Sequence, residues 1–141
     1  MQTPRLTRWI PSVLILLFAY TGCSKLFDLE RFSHTLYNQP FPKSLVPVLI
    51  ITLPCLELAT AACLLFDRTR LIALWSALTL LIVFTLYIAA IVLHLFETVP
   101  CSCGGIFRHL TWNQHLWINL TLLILVATAL RHHSTYPYAK D

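Results

Sequence analysis

The chain has 141 residues, of which 57% are hydrophobic and 11% are charged, whereas soluble domains carry roughly 25% charged residues. This composition leaves too little polar surface to coat a water-soluble globule, so it excludes a soluble domain and predicts a membrane protein. The formal net charge of +4 comes from only 10 Lys and Arg residues spread over several loops. That distribution indicates how the chain is oriented in the membrane and argues against a nucleic-acid-binding patch.

The first predicted span follows a basic start and runs from Trp9 to about Phe27. Trp9 suits the membrane–water interface. The basic start, the apolar run and Thr21–Gly22–Cys23 also resemble a secretory or lipoprotein signal, in which Cys23 would be lipidated. Tyr20 stands where such cleavage sites usually have a small aliphatic residue, and three further spans follow. An uncleaved first helix is therefore favoured.

The first connecting loop, residues 28–43, is predicted to contain a short amphipathic helix. Its apolar residues recur at helical spacing with charged residues between them, at Leu29, Phe32 and Leu36. This pattern predicts a helix that lies in the membrane interface. Pro40 and Pro42 are expected to end it.

Three more apolar runs predict spans at about residues 45–66, 71–94 and 114–130. Pro54 should kink the second span unless neighbouring groups satisfy the carbonyl that it frees. Thr111 or Asn113 is a candidate N-cap for the fourth span. The fold class predicted is all-α: a single domain over residues 1–141, built as a bundle of four transmembrane helices.

An ionisable side chain, Glu57, falls near mid-membrane within the second span. A carboxylate at that depth is costly, so function is its default interpretation. It could serve as a proton relay or form part of a quinone or substrate pocket; the alternative is a hydrogen-bonded contact between helices. Lys25 is a candidate partner, although its expected depth differs from that of Glu57 by several ångströms.

The basic residues predict the topology. The N-terminal arm, the second loop and the C-terminal tail hold Arg5, Arg8, Arg68, Arg70, Arg131 and Lys140. The first and third loops hold Lys25, Arg31, Lys43 and Arg108. The excess favours cytoplasmic termini, and therefore an extracytoplasmic third loop, where thiol–disulfide chemistry can occur.

The third loop carries the most specific motif of the chain, Cys101–Ser102–Cys103–Gly104–Gly105. A Cys-x-Cys disulfide is small and strained, which makes it easy to reduce and hence oxidising. Arg108 and His109 nearby favour the thiolate form of a cysteine. The alternatives are a structural disulfide, inert thiols, a disulfide to Cys23, or a metal site with His109 and His115. The metal site lacks a convincing four-ligand pattern.

The remaining cysteines lie in the predicted spans. Cys23 is near the outer end of the first span, where it could resolve a mixed disulfide with Cys101 or Cys103. The alternative is a small buried hydrophobic residue, as most membrane cysteines are. Cys55 and Cys63 are deeper and are interpreted as packing residues.

The motifs taken together resemble the MauE/DoxX-type membrane proteins, small four-helix proteins named after methylamine utilisation. In this family the first helix ends with a small residue followed by Ser and Lys, and a Phe and a Tyr then precede a linker that contains prolines. The second helix carries Leu–Glu. A loop with cysteines follows the third helix, and Trp and Asn lie at the start of the last helix. The matching residues are Gly22 to Lys25, Phe32, Tyr37, Pro40, Pro42, Leu56–Glu57, Cys101–Gly105, Trp112 and Asn119. The resemblance covers nearly the whole chain. Cys23 occupies a position that the family pattern leaves variable.

The resemblance implies a redox-associated protein of the bacterial inner membrane. In the methylamine branch, such a protein helps a periplasmic partner acquire its disulfides beside a thioredoxin-like protein. The expected partners are therefore the lipid bilayer and a periplasmic thioredoxin-like protein or disulfide-containing client, with no nucleic acid.

The residues predicted to carry this chemistry are Cys101, Cys103, Cys23 and Glu57. No cofactor is assigned with certainty, and a membrane quinone is the candidate for carrying electrons. A thiol–disulfide oxidoreductase component is the leading hypothesis. The rivals are a non-catalytic assembly or docking subunit braced by a structural disulfide, and a metal-handling membrane protein.

Overall fold

The described part of the chain is entirely helical outside its loops. The computed structural model describes residues 5–96 and 110–135, with side chains described for residues 9–96 and 110–131. These residues form five α-helices and no strand. In chain order the helices are α1 (Arg5–Phe27), α2 (Leu29–Tyr37), α3 (Val46–Leu65), α4 (Arg70–Val92) and α5 (Trp112–Thr135). The all-α prediction is confirmed.

Four of these helices are long and apolar enough to cross a bilayer, at Trp9–Phe27, Val46–Leu65, Arg70–Val92 and Trp112–Arg131. Each agrees with its predicted span to within two residues at either end. A hydrocarbon core needs about 20 apolar residues per helix. The protein is therefore a multi-pass membrane protein in contact with the lipid bilayer.

The four long helices pack in a closed ring. α1 packs on α3, α3 on α4, α4 on α5, and α5 on α1. The centre holds fully buried aliphatic side chains such as Leu14, Leu64 and Val126. Large apolar side chains also cover the outer faces, including Leu16 and Trp75, as expected of helices whose surroundings are lipid.

The short helix α2 is amphipathic, as predicted. Phe32 and Leu36 are buried, and they pack with Val46 at the start of α3. The helix ends at Tyr37, shortly before Pro40. Its position in the membrane interface stays a prediction.

The linker between α2 and α3 is attached to α4 by polar and aromatic contacts. The Tyr87 hydroxyl donates a hydrogen bond to Oε1 of the buried Gln39. The ring of Phe41 stacks on that of Tyr87 with 5.2 Å between centroids. These contacts hold the linker over the interior of the bundle.

Well-defined helix ends flank the segment between α4 and α5. His94 adopts a left-handed backbone conformation with φ of 55°. The amide of His94 donates to the Ile91 carbonyl and that of Leu95 to the Ala90 carbonyl, the pattern that usually closes a helix with glycine. α5 begins with a capping box: Thr111 Oγ1 accepts from the Gln114 amide, and Gln114 Oε1 accepts from the Thr111 amide. Thr111 is therefore the N-cap.

Candidate functional site

A buried ion pair joins α1 to α3. Lys25 Nζ lies 2.8 Å from Oε1 and 2.9 Å from Oε2 of Glu57. The two side chains are only 6% and 3% exposed. Lys25 Nζ also donates to the Thr21 carbonyl at 3.3 Å, so its three N–H groups all have acceptors. The structure therefore brings together the two residues that the sequence offered as candidate partners.

The pair forms because a glycine lets α1 approach α3 closely. A Cβ placed on Gly22 would lie 2.8 Å from Cγ of Leu58 and 3.4 Å from Cβ of Glu57. One turn further along, Lys25 lies in the last turn of α1. Its stem extends along the helix interface, which places the ammonium group beside a carboxylate near the middle of α3. Lys25 Nζ also lies 5.8 Å from the centroid of the Phe32 ring.

The ion pair lies on the wall of a cavity of about 120 Å³ to which all five helices contribute. Most of the wall is aliphatic or aromatic, with Phe32, Phe41, Phe84 and Trp112 among its residues. A few polar side chains interrupt it: Thr21, Lys25, Glu57, Tyr87, His115 and Asn119. An apolar cavity with a few convergent polar groups is the usual form of a small-molecule site.

Two of these polar residues come from consecutive turns of α5. His115 is 3% exposed, and its ring centroid lies 6.2 Å from that of Trp112. Asn119 follows one turn later and is half-buried. From the sequence, His115 was a candidate metal ligand, and Asn119 was a residue expected at a helix contact and a match to the family pattern. The i, i+4 spacing of two polar residues in an apolar helix was the signal that could have revealed a shared polar face.

Cys101 and Cys103 lie outside the described residues. The helices that border their segment are described, however, and both reach the cavity. Tyr87 and Ile88, in the last turns of α4, and Trp112, the first residue of α5, belong to its wall. The segment that carries the two cysteines is thus attached at both ends to the cavity end of the bundle.

The other cysteines occupy different surroundings. Cys23 is a half-buried free thiol on α1, between the cavity residues Thr21 and Lys25 but outside the described cavity wall. Cys63 is half-buried and packs against the central core, as interpreted from the sequence. Cys55 is exposed, so its interpretation as a packing residue was wrong: its position on α3 points away from the other helices.

The metal hypothesis gains no support from the described part of the chain. Residues 9–96 and 110–131 contain no group of three or more His, Cys, Asp or Glu residues close enough to hold an ion. His115 faces the cavity, while His109, its proposed co-ligand, lies outside the described residues.

Comparison with known proteins identifies one family. The family model for methylamine utilisation protein MauE matches residues 3–132. No curated protein and no solved structure shows a significant match to the chain.

Proposed function

Because the chain belongs to the MauE family of methylamine utilisation proteins, we propose that it is an inner-membrane component of disulfide exchange. In this function, Cys101 and Cys103 act on the cysteines of a periplasmic partner. The observation that carries the proposal is the buried Lys25–Glu57 pair and its cavity, at the end of the bundle to which the cysteine segment is attached.

The ion pair supports a functional site because a stable bundle does not require it. Removing two charges from water costs several kcal/mol per ion, and well-packed apolar residues often stabilise a protein as well or better. Ionisable groups inside the membrane usually mark substrate, ion or proton pathways. A carboxylate and an ammonium group beside an open volume are therefore better explained by what the cavity holds than by packing.

The proposed exchange conserves atoms and electrons. A thiolate of the partner attacks the Cys101–Cys103 disulfide, which forms a mixed disulfide and releases one of the two cysteines as a thiolate. The second thiol of the partner then attacks the mixed disulfide. The partner leaves oxidised, and Cys101 and Cys103 hold the two electrons, one proton from the partner's second thiol and one proton from the solvent, which had received it when the first thiol ionised.

A lipid-soluble two-electron acceptor must then reoxidise the pair. The dithiol returns to the disulfide as two electrons and two protons pass to a membrane quinone, which is reduced to the hydroquinone. Cys23, on the helix that carries Lys25, is the candidate for resolving a mixed disulfide that stalls. Glu57 is the candidate for accepting a proton within the bundle.

Trapping mixed disulfides tests the exchange. In a Cys103→Ser variant the Cys101 thiolate can still attack a disulfide of an oxidised partner, the reverse of the exchange above. No Cys103 thiol is present to release that adduct, so we expect a covalent adduct that disappears on reduction. The adduct should persist in Cys103→Ser combined with Cys55→Ser, because Cys55 is exposed on the outer surface of α3. It should vanish in Cys101→Ser combined with Cys103→Ser.

Two other outcomes of this experiment would contradict disulfide exchange. If Cys103→Ser captures neither a protein nor a small thiol, and the wild-type pair stays reduced in an oxidising compartment, disulfide exchange is wrong. Loss of partner binding without any redox cycling would instead support a non-catalytic docking subunit.

A further inference from the structure

We infer that the cavity beside Lys25 and Glu57 is the binding site for the head group of a lipid-soluble quinone. This inference rests on the proposed function, because it assigns a place to the acceptor that reoxidises Cys101 and Cys103.

The cavity has the size of one six-membered ring. Its volume is about 120 Å³, and an engineered apolar cavity of about 150 Å³ in another protein binds benzene. Aromatic walls suit such a ligand: Phe41 and Tyr87 are already stacked on each other, and Phe84 and Trp112 also line the space. Flat aromatic surfaces favour a planar ring over a flexible acyl chain.

The polar groups of the cavity match the edges of a quinone. Asn119 lines the cavity and is half-buried, and its amide makes no hydrogen bond within the described part of the chain. An amide nitrogen there can donate to a quinone carbonyl, while its oxygen can accept from a hydroquinone hydroxyl.

The ion pair supplies a second acceptor. Both oxygens of Glu57 accept from Lys25, but an ionised carboxylate has about four lone-pair positions. The remaining positions can accept the hydroxyl of the reduced ring. Lys25 keeps the carboxylate fixed, which makes Lys25 a positioning residue in this site.

The surroundings of the cavity suit a ligand that arrives through the bilayer. The outer faces of α1, α4 and α5 are apolar, with Leu16, Leu86 and Ile124 all exposed. The cavity wall also includes the helix ends that hold the cysteine segment. Oxidation of the Cys101–Cys103 dithiol by the bound quinone balances with two electrons and two protons: dithiol plus quinone gives disulfide plus hydroquinone.

Titration of the purified, full-length protein in detergent with a short-tailed ubiquinone analogue tests the site. Binding is followed by quenching of tryptophan fluorescence, since Trp112 lines the cavity, and by equilibrium dialysis. We expect saturable binding with one quinone per chain.

Two substitutions on α4 form a matched pair. Leu81 is 3% exposed and lines the cavity, whereas Leu86 is 66% exposed on the outer face of the same helix. Leu81→Phe should fill part of the cavity and weaken quinone binding at least tenfold. Leu86→Phe should bind with wild-type affinity. Equal affinity in the two variants would overturn the inference.

A further variant covers the case in which Leu81→Phe does not fold. Asn119→Leu keeps the volume of the side chain and removes its hydrogen-bonding groups, so affinity should fall by about tenfold, the equivalent of one hydrogen bond of about 1.4 kcal/mol. Unchanged affinity, or displacement of the quinone by oleate at equal concentration, would mean an acyl-chain cavity and overturn the assignment.

The quinone titration and the mixed-disulfide capture are independent tests, so either one can fail while the other succeeds. Quinone binding is measured on the protein alone, without a partner, and therefore reports on the cavity whether or not Cys101 and Cys103 exchange disulfides. Capture of the partner is measured without added quinone.

Discussion

At the scale of single residues, the importance of Lys25 and Glu57 was predictable from the sequence, but their direct contact was not. Both residues were recognisable because each interrupts an apolar run. Their expected difference in depth argued against a contact, since that comparison used backbone positions alone. A lysine carries its charge at the end of a long flexible stem, so its ammonium group reaches a partner that its backbone does not.

Lys25→Met tests the energetic role of the pair. The change removes the only cation recorded next to Glu57 among the described residues, and we expect a loss of about 3–5 kcal/mol in unfolding free energy, because it leaves an uncompensated buried charge. Adding Glu57→Leu should restore much of that stability. Unfolding in detergent micelles provides the measurement.

Lys43→Met is the control for that change. Lys43 is also hydrogen-bonded, to the Tyr37 carbonyl at 2.9 Å, but it is exposed. Exposed substitutions usually shift stability by no more than about 0.5 kcal/mol. If Lys25→Met were as stable as Lys43→Met, the loss of Lys25 would not leave a costly uncompensated charge on Glu57.

Other features of the site were not predictable residue by residue. His115 and Asn119 share one face of α5, but which residues they face depends on how five helices meet around the cavity. His94 shows the same limit in the backbone: its left-handed conformation ends α4, yet glycine and asparagine are the residues that usually announce such an end.

At the scale of helices, the sequence predicted well which helices form and at which residues they begin and end. The apolar runs, the prolines after α2 and the Thr111 cap are local signals, and local signals define where a helix starts and stops. The close approach of α1 and α3 was less visible, because a single glycine in a span has several explanations.

Gly22→Ala tests that close approach. The added methyl group would overlap Leu58 at 2.8 Å, so α1 and α3 must move apart near the ion pair. We expect a loss of about 1–3 kcal/mol, the usual cost of overpacking. Thermal unfolding in detergent gives the comparison with the wild type.

A second substitution identifies the cause of that loss. Leu58→Ala removes the atoms that the new methyl group meets, so Gly22→Ala should cost markedly less in the Leu58→Ala background than in the wild type. Equal costs in both backgrounds would show that the Leu58 contact is not responsible and would point to the backbone of α1.

At the scale of the whole molecule, the number of spans was predictable and their arrangement was not. α3 and α4 carry apolar side chains all around, since Ile51 and Leu86 face outward while Leu64 and Leu74 face the core. A helix with no polar face does not indicate which side meets its neighbours. The order of helices around the ring therefore emerges only from the packed structure.

The predicted orientation, with both termini in the cytoplasm, is testable at two loops. In a background without native cysteines, Lys43→Cys should react with a membrane-impermeant thiol reagent added to the extracytoplasmic side of intact cells. Arg68→Cys should react only after the membrane is opened, because the second loop is predicted to face the cytoplasm. The reverse labelling pattern would place the cysteine segment in the cytoplasm and contradict periplasmic disulfide exchange.

The ion pair also has a consequence for how the chain enters the membrane during synthesis. Lys25, in the last turn of α1, can keep its charge at the lipid boundary while α1 is in the bilayer and α3 has not yet been inserted. Glu57 lies near the middle of α3, so its carboxylate cannot reach the lipid boundary. We therefore expect α3 to be accepted by the insertion machinery less often when Lys25→Met is present, as measured by the inserted fraction of α3 in translation with membrane vesicles. The first transmembrane helix, α1, therefore assists the membrane insertion of the second, α3.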